Sequence, residues 1–384
     1  MGLVSLDQGP ASRPSHAPHT VSGAIETHPA RLDQARRLRD RMAPLDVFLA
    51  VDPDPTGPRR AMRSARLAFG AAAAEHTHHV VLQDDVWVHD GFADAVRQAT
   101  ELFPDAIVSL FVEWGLPTAT LARWAAFTGA TAVPVAETYV PTQGVVLPSE
   151  VSREVARYLR TEVPTDYPDD VALLEFARRE GVRALVLVPN LLEHMEIPSL
   201  TGNGWQGERR SVCLLPEPAV GATDSVLSVP AMVPFTQWDG DVSMMIMPHP
   251  LGFSGWLPTL DVLADWGTSP ADLGAACREQ LSGRPGYAAV RSRVDDGYLF
   301  SLWLSAVAMG AIQAVRWPGT SAVLDERLRT PVGAQALRTM APGALRLVAD
   351  PDFLATHADD LDALVVHGLK FGAAACRPNL ADIW

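Results

Sequence analysis

Strand-like and helix-like segments alternate along the first half of the chain. Apolar runs typical of buried strands lie at 19–25, 45–52, 79–85 and 106–113. Segments with apolar residues at helical spacing separate these runs, at 29–43, 59–75 and 91–103. This alternation predicts an α/β fold with a mostly parallel sheet that is flanked by helices on both faces. Because ligands of such sheets bind beyond the carboxyl ends of the strands, functional residues are expected there.

Carboxylates stand at two of these strand ends. The second strand ends at Asp52, and the third runs into Gln83, Asp84 and Asp85. Two adjacent carboxylates repel each other, and burying either one is unfavourable unless a partner compensates its charge. A strand can end in this way because it reaches solvent, or because it holds a metal ion. We expect Asp52 and the two adjacent aspartates to converge on one cleft.

Composition divides the chain into three parts. Residues 1–18 are rich in Pro, Ser, His and Gly, which predicts a disordered tail. The α/β pattern occupies 19–205 and ends near the polar, glycine-rich stretch 200–210. Beyond it, residues 206–384 contain mostly helix-like segments, including 295–315. We expect a second, mainly α-helical domain that shapes part of a binding site or forms the interface of a homo-oligomer.

Charge and cysteine content argue against several classes of protein. The net charge of −14 disfavours broad binding to nucleic acid or to anionic lipid. The chain has no run of 18 uninterrupted apolar residues, so no membrane span is expected. The three cysteines lie far apart, and the first residues lack the basic and apolar regions of a secretion signal. These features predict a cytoplasmic location.

Two motifs give the first half a resemblance to a known family. They are "VVLQDDV" at 80–86 and "VPNLLEHMEIPSL" at 188–200. They resemble the Asp-X-Asp metal motif and the later histidine-bearing segment of nucleotide-sugar glycosyltransferases with the GT-A fold. The resemblance covers roughly residues 19–205. It implies an enzyme that moves a sugar from a nucleotide-sugar donor to a hydroxyl or amine of a small-molecule or glycan acceptor. The second half would then shape the acceptor site or form an oligomer interface.

The resemblance also implies roles for individual residues. Asp85 and His194 would bind a divalent metal, Mn²⁺ or Mg²⁺, which neutralises the leaving diphosphate. Asp84 would face the ribose or the sugar, and Asp52 would bind the base or the ribose. Gln83 stands where many members have an acid. Since an amide can hydrogen-bond a metal-bound water but brings no charge, the metal affinity is expected to be modest, or metal dependence to be absent.

A general base is expected at the start of the helix that follows residue 168. Asp169 and Asp170 match the acidic position that faces the acceptor in the family. Adjacent side chains at a helix start point in different directions, so one should cap the helix and the other should reach into the cleft. The phase of the following "VALLEF" favours Asp169 as the cap and Asp170 as the base. Arg63 and Arg66, in the helix before the metal motif, can reach the diphosphate or the nucleotide, or they line a solvated face.

Simpler readings and two other functions compete with this interpretation. Each carboxylate can be a solvated strand end, a turn former or a plain helix cap, and His194 and Arg63 can be structural. A metal-dependent nucleotidyltransferase also uses a parallel sheet, but its usual glycine-rich, basic loop after the first strand is missing from "SGAIETHPARLDQ". The third function is a non-catalytic binding or scaffold protein with a decayed transferase domain, and Gln83 is its best support.

Overall fold

The computed structural model of the chain describes residues 18–198, 200, 202–237, 239–249 and 252–383. Apart from residue 18, the predicted tail therefore lies outside the described residues. The strands of the first half are β1 (Val21–Thr27), β2 (Val47–Val51), β3 (His78–Gln83), β4 (Val86–Val88), β5 (Ile107–Ser109), β6 (Ala132–Pro134), β7 (Gly144–Pro148), β8 (Ala184–Leu187) and β9 (Leu192–His194). Its helices are α1 (Leu32–Arg41), α2 (Met62–Gly70), α3 (Phe92–Leu102), α4 (Pro117–Thr128), α5 (Ser149–Thr161) and α6 (Asp169–Glu180).

Seven of these strands form the central sheet, in the order β2-β1-β3-β7-β5-β8-β6. β1 pairs in parallel with β2 and β3, and β5 pairs in parallel with β8. β7 is antiparallel to β3 and β5, and the edge strand β6 is antiparallel to β8. Five of the seven strands therefore run in the same direction, which confirms the predicted α/β fold with a mostly parallel sheet.

Helices cover both faces of this sheet because its strands are apolar on both sides. Val21 and Ile25 of β1 pack in one cluster with residues of α1 and α3. Ala24 of the same strand packs in another cluster with residues of α2, α5 and α6. Successive residues of a strand point to opposite faces, so β1 contributes to both layers. With both faces buried, the strand ends are where polar side chains of the sheet gather.

The second half of the chain is mainly helical, as predicted. Its helices are α7 (Thr259–Asp265), α8 (Pro270–Ser282), α9 (Gly286–Arg291), α10 (Asp296–Arg316), α11 (Pro318–Ala322), α12 (Leu324–Arg327), α13 (Pro331–Arg338), α14 (Met340–Leu345), α15 (Pro351–Thr356) and α16 (Ala358–Ala375). The strands β10 (Val233–Thr236), β11 (Ser243–His249) and β12 (Gly252–Pro258) form an antiparallel sheet that contacts α10. By length and composition α10 could cross a membrane, but 78% of its most apolar window is buried in the molecule, where it packs against α16.

The apolar core of the second half continues into helix α4 of the first half. This helix is buried around its whole circumference. Its Trp124 belongs to the same cluster of buried side chains as Trp303 of α10 and Leu364 of α16. The packing around α4 therefore crosses the sequence boundary near residue 205.

A buried arginine reinforces this junction. Arg123 of α4 donates hydrogen bonds to the carbonyl oxygens of Trp114, Ala336 and Thr339, at 2.8, 3.2 and 3.3 Å. Burial lowers the pKa of Arg123 to about 9. Its guanidinium thus ties α4 to the C-terminal end of α13, which is more than two hundred residues away in sequence.

Candidate functional site

A cleft of about 660 Å³ opens at the carboxyl ends of β1, β2 and β3. The start of α6 and residues of the second half line its other sides. Its acidic residues are Glu26, Asp52, Asp84, Asp85, Glu113, Asp166, Asp169 and Asp170. Its arginines are Arg31, Arg59, Arg60, Arg209 and Arg346. The cleft therefore presents carboxylates and guanidinium groups side by side, at the end of the sheet where the sequence predicts a ligand site.

The register of the sheet brings strand-end residues together. Strand β1 lies between β2 and β3, and its Glu26 pairs with Gln83 while its Thr27 pairs with Val51. Asp52 follows Val51, and its backbone N–H donates to the carbonyl oxygen of Thr27 at 2.8 Å. Asp52 and Gln83 thus end neighbouring strands and both line the cleft, as expected from their positions after parallel strands.

Asp84 is buried, and hydrogen-bond donors occupy both of its carboxylate oxygens. The Thr27 hydroxyl donates to Oδ2 at 2.7 Å, and Nη1 of Arg31 donates to Oδ1 at 3.0 Å. Burial raises the pKa of Asp84, and the hydrogen bonds from Thr27 and Arg31 counteract this effect. Asp84 can therefore contact a ribose or a sugar only through the lone pairs that these donors leave free.

The two-stranded ribbon of β4 and β9 brings Asp85 close to His194. It pairs Val86 with His194, and the backbone N–H of Met195 donates to the carbonyl oxygen of Asp85 at 2.8 Å. As a result, Nε2 of His194 lies 3.8 Å from Oδ2 of Asp85. The other oxygen of Asp85, Oδ1, is buried and has no hydrogen-bond partner among the described residues. The structure thus brings together the two residues for which the resemblance implies a shared metal.

Two arginines contact these same atoms. Nη1 of Arg31 bridges Asp84 and Asp85 at 3.0 and 3.1 Å. Nη2 of Arg209 lies 3.1 Å from Nε2 of His194. The described part of the chain contains no group of three or more His, Cys, Asp or Glu side chains that could hold a metal ion. A cation at the unpartnered Oδ1 of Asp85 would still need Nε2 of His194, which Arg209 contacts, and would lie next to the guanidinium of Arg31. This donor set therefore does not fit a resident metal while both arginines stay in place.

Asp52 is held in one orientation by Arg63. Nε and Nη2 of Arg63 donate to the two carboxylate oxygens of Asp52, each at 2.7 Å, which lowers the pKa of Asp52. The same guanidinium donates to the carbonyl oxygens of Asp54 and Pro58. Arg63 therefore braces the loop at 52–58 in this structure, and its side chain is only 12% exposed. The sequence leaves open a contact with the diphosphate or the nucleotide and a place on a solvated face, and the second of these is wrong. The reason is that the loop folds back onto the first turn of α2.

Helix α6 begins at Asp169, and its N-cap residue is Pro168, which has no side-chain acceptor. The prediction that Asp169 caps this helix is therefore wrong. Asp170 instead accepts the N–H of Val171 on Oδ1 at 2.8 Å. Asp169 is buried and lines the cleft, and its Oδ2 has no hydrogen-bond partner among the described residues. Burial and the neighbouring Asp170 raise the pKa of Asp169, which brings it closer to the range that suits a general base.

Glu26 lines the same cleft, although the sequence analysis does not single it out. Its Oε2 accepts a hydrogen bond from the Ser64 hydroxyl at 3.2 Å, and its Oε1 is buried without a partner among the described residues. Burial and the carboxylate of Asp169 raise the pKa of Glu26 well above its usual range. Its place near the carboxyl end of a predicted strand is a usable signal, since the same rule identifies Asp52.

Glu113 and Arg346 are a second pair that the sequence analysis misses. Nη2 of Arg346, which directly follows α14, donates to Oε1 of Glu113 at 3.1 Å. The Arg346 side chain is only 3% exposed, and both residues line the cleft. No local pattern relates these two positions, because more than two hundred residues separate them. Through Arg346 the second half of the chain contributes directly to the cleft.

Comparison with known proteins does not assign the chain to a family. No family model matches the chain, and no curated protein is significantly similar to it. The side chains that line the cleft are therefore the basis for a functional proposal.

Proposed function

We propose that this chain is a glycosyltransferase that moves a sugar from a nucleotide-sugar donor to a hydroxyl or amine of an acceptor. The observation that carries the proposal is the joint placement of carboxylates and arginines in one cleft at the carboxyl ends of parallel strands. Guanidinium groups suit a diphosphate, and a buried carboxylate suits proton removal from the acceptor. The GT-A architecture that the sequence resembles is part of the proposal, and the mixed sheet with five strands in one direction supports it.

The transfer requires a base and a site for negative charge. The bond between the anomeric carbon and a diphosphate oxygen breaks, and its electron pair leaves with the nucleoside diphosphate. The acceptor oxygen or nitrogen forms the new bond to the anomeric carbon and gives up its proton. Asp169 is the proposed proton acceptor because no described residue donates to its Oδ2 and its pKa is raised. Asp170, which the sequence favours, has one oxygen engaged with its own helix.

Donor binding would use the ends of β2 and β3. Asp52, fixed by Arg63, would face the base or the ribose, and Asp84 would face the ribose or the sugar. The resemblance implies Asp85 and His194 as the protein ligands of a divalent cation. Metal assistance stays a prediction, because it requires two arginines to leave these atoms.

Binding of nucleotide sugars tests the proposal directly. We expect at least one member of a panel of nucleotide sugars, added with and without Mn²⁺, to raise the melting temperature. A ligand at 100 times its dissociation constant adds about 2.7 kcal/mol to the free energy of unfolding, which a thermal scan resolves. Analysis of the product then separates sugar transfer from nucleotide transfer. If no nucleotide sugar stabilises the chain, the transferase proposal fails and a binding or scaffold function replaces it.

Substitution of the proposed base gives the second test. Asp169→Asn keeps the size of the side chain but removes its basicity, so we expect the transfer rate to fall about 10²–10⁴-fold with little change in donor affinity. Asp170→Asn should have a smaller effect. The matched control is Glu180→Gln at the exposed end of the same helix, which should leave the rate unchanged. A larger loss in the Asp170 variant would move the base to that residue.

A further inference from the structure

The guanidinium of Arg31 occupies the position between Asp84 and Asp85 that a shared cation would take. Its Nη1 is 3.0 Å from Asp84 and 3.1 Å from Asp85, and its side chain is only 13% exposed. Its Nη2 donates to the carbonyl oxygen of Pro198, in the segment that follows β9. The guanidinium is thus held from two sides at the edge of the cleft. Its positive charge therefore faces the carboxylates of Asp84 and Asp85.

We propose that Arg31, together with Arg209, neutralises the leaving diphosphate in place of a divalent cation. The inference rests on the proposed glycosyl transfer, and it replaces the metal in that reaction with side chains of this chain. A guanidinium stays charged throughout the physiological pH range and offers several N–H donors in a planar array that matches phosphate oxygens. The bonds that break and form are the same as in the transfer described above. Arg31 and Arg209 neutralise the negative charge on the departing diphosphate.

Three separate features of the cleft point in this direction. Arg31 contacts both aspartates of the motif, so a metal must compete with a guanidinium for them. Arg209 contacts Nε2 of His194, and that nitrogen cannot accept from an arginine and ligate a cation at the same time. Gln83 brings no charge where an acid would strengthen metal binding, and its amide donates to the Thr142 hydroxyl at 3.3 Å.

The carboxylates of the cleft then acquire a second role, which is to hold arginines. Asp84 and Asp85 fix Arg31, and Glu113 fixes Arg346 in the same way at 3.1 Å. In each case a buried or nearly buried acid keeps a guanidinium at the wall of the cleft. Preorganised positive charge of this kind stabilises a developing anion without the cost of reorienting the site during the reaction.

The test measures binding of Mn²⁺ and of inorganic pyrophosphate to the full chain, without relying on activity. Electron paramagnetic resonance should show that wild-type protein leaves the signal of free Mn²⁺ unchanged. Calorimetry should show that pyrophosphate binds in the presence of EDTA. In Arg31→Gln, pyrophosphate affinity should fall about tenfold or more, because one charge-assisted contact is lost. The same variant should begin to bind Mn²⁺, because Asp84 and Asp85 are released.

Matched variants separate charge from structure. Arg31→Lys keeps the positive charge and should retain most of the pyrophosphate affinity. Arg36→Gln, which removes an exposed arginine from α1, should change neither measurement. If Arg31→Gln does not fold, as judged by circular dichroism, Arg209→Gln carries the test and should weaken pyrophosphate binding to a similar degree. Stoichiometric Mn²⁺ binding by the wild type, loss of pyrophosphate binding in EDTA, or an unchanged affinity in the folded variant overturns the inference.

Failure of this inference can be told apart from failure of the proposed transferase. If nucleotide sugars bind only when Mn²⁺ is present, the transferase proposal stands and the arginine proposal is wrong. If pyrophosphate binds without metal but no nucleotide sugar does, the arginines form an anion site and the transferase proposal is wrong.

Discussion

Glu137 is a single buried carboxyl group whose surroundings favour its neutral form. It accepts hydrogen bonds from the backbone N–H of Thr118 at 2.7 Å and from the Thr118 hydroxyl, at the start of α4. Burial raises the pKa of Glu137 from 4.5 to about 8. Because its folded-state pKa lies above its unfolded value, its contribution to stability is complete below about pH 4.5 and is lost as the pH rises toward 8.

Glu137→Gln should therefore make stability less dependent on pH. The amide keeps an acceptor for the Thr118 N–H but does not titrate. Between pH 5 and 8, the free energy of unfolding of the wild type should fall more steeply than that of the variant, by at most about 1.4 kcal/mol per pH unit. Urea denaturation at several pH values measures both slopes. The control Glu75→Gln, at an exposed position, should keep the wild-type slope, and equal slopes for all three proteins would contradict the prediction.

At the scale of residues, the sequence predicts which side chains lie in the cleft better than it predicts which of them contact each other. The rule that ligands gather at carboxyl ends of parallel strands places Asp52, Asp84 and Asp85 in one cleft, as observed. It does not reveal that Arg31 bridges two of them, since the guanidinium reaches them from a separate segment. Pairings between distant side chains depend on chain directions and rotamers, which a single sequence does not specify.

At the scale of elements, amphipathic helices and apolar strands are predictable, whereas fully buried or very short elements are not. Helix α4 has no polar face, so the periodic signal of an amphipathic helix is absent. Strands β4 and β9 have three residues each, too few to show an alternating pattern. The antiparallel insertion of β7 between β3 and β5 is also invisible in sequence, because it is set by which edge of the sheet is open when the strand pairs.

The loop after β2 provides a prediction at this scale. Arg63 makes four hydrogen bonds to Asp52, Asp54 and Pro58, so Arg63→Met should release the loop while α2 keeps its apolar packing. Amide hydrogen exchange at Asp54, Thr56 and Gly57, the loop residues that are not proline, should become faster. The global free energy of unfolding should fall by about 1–3 kcal/mol. Arg97→Met, which removes a half-exposed arginine from α3, is the control and should leave exchange in this loop unchanged. Unaltered exchange in Arg63→Met would contradict the bracing role.

At the scale of the whole molecule, one buried arginine should couple the two halves. Arg123→Met removes the donors that satisfy the carbonyl oxygens of Trp114, Ala336 and Thr339. The carbonyl oxygens of Ala336 and Thr339 keep donors in the Thr339 hydroxyl and the Gly343 N–H, whereas that of Trp114 loses its donor. The free energy of unfolding should therefore fall by about 1–3 kcal/mol. Because the core around α4 is shared, calorimetry should show one unfolding transition that shifts as a unit. Arg157→Met, at an exposed position, should stay within about 0.5 kcal/mol of the wild type. A transition that splits in two, or does not move, would refute this coupling.

The position of Arg346 in the cleft has a consequence for the order in which the chain acquires its site during synthesis. The strands that carry Asp52, Asp84 and Asp85 leave the ribosome early, and they can pair before the second half exists. Arg346 reaches Glu113 only after more than two hundred further residues have been translated. A nascent chain that presents the strand-end carboxylates therefore lacks Arg346, and this side of the cleft is completed late in translation.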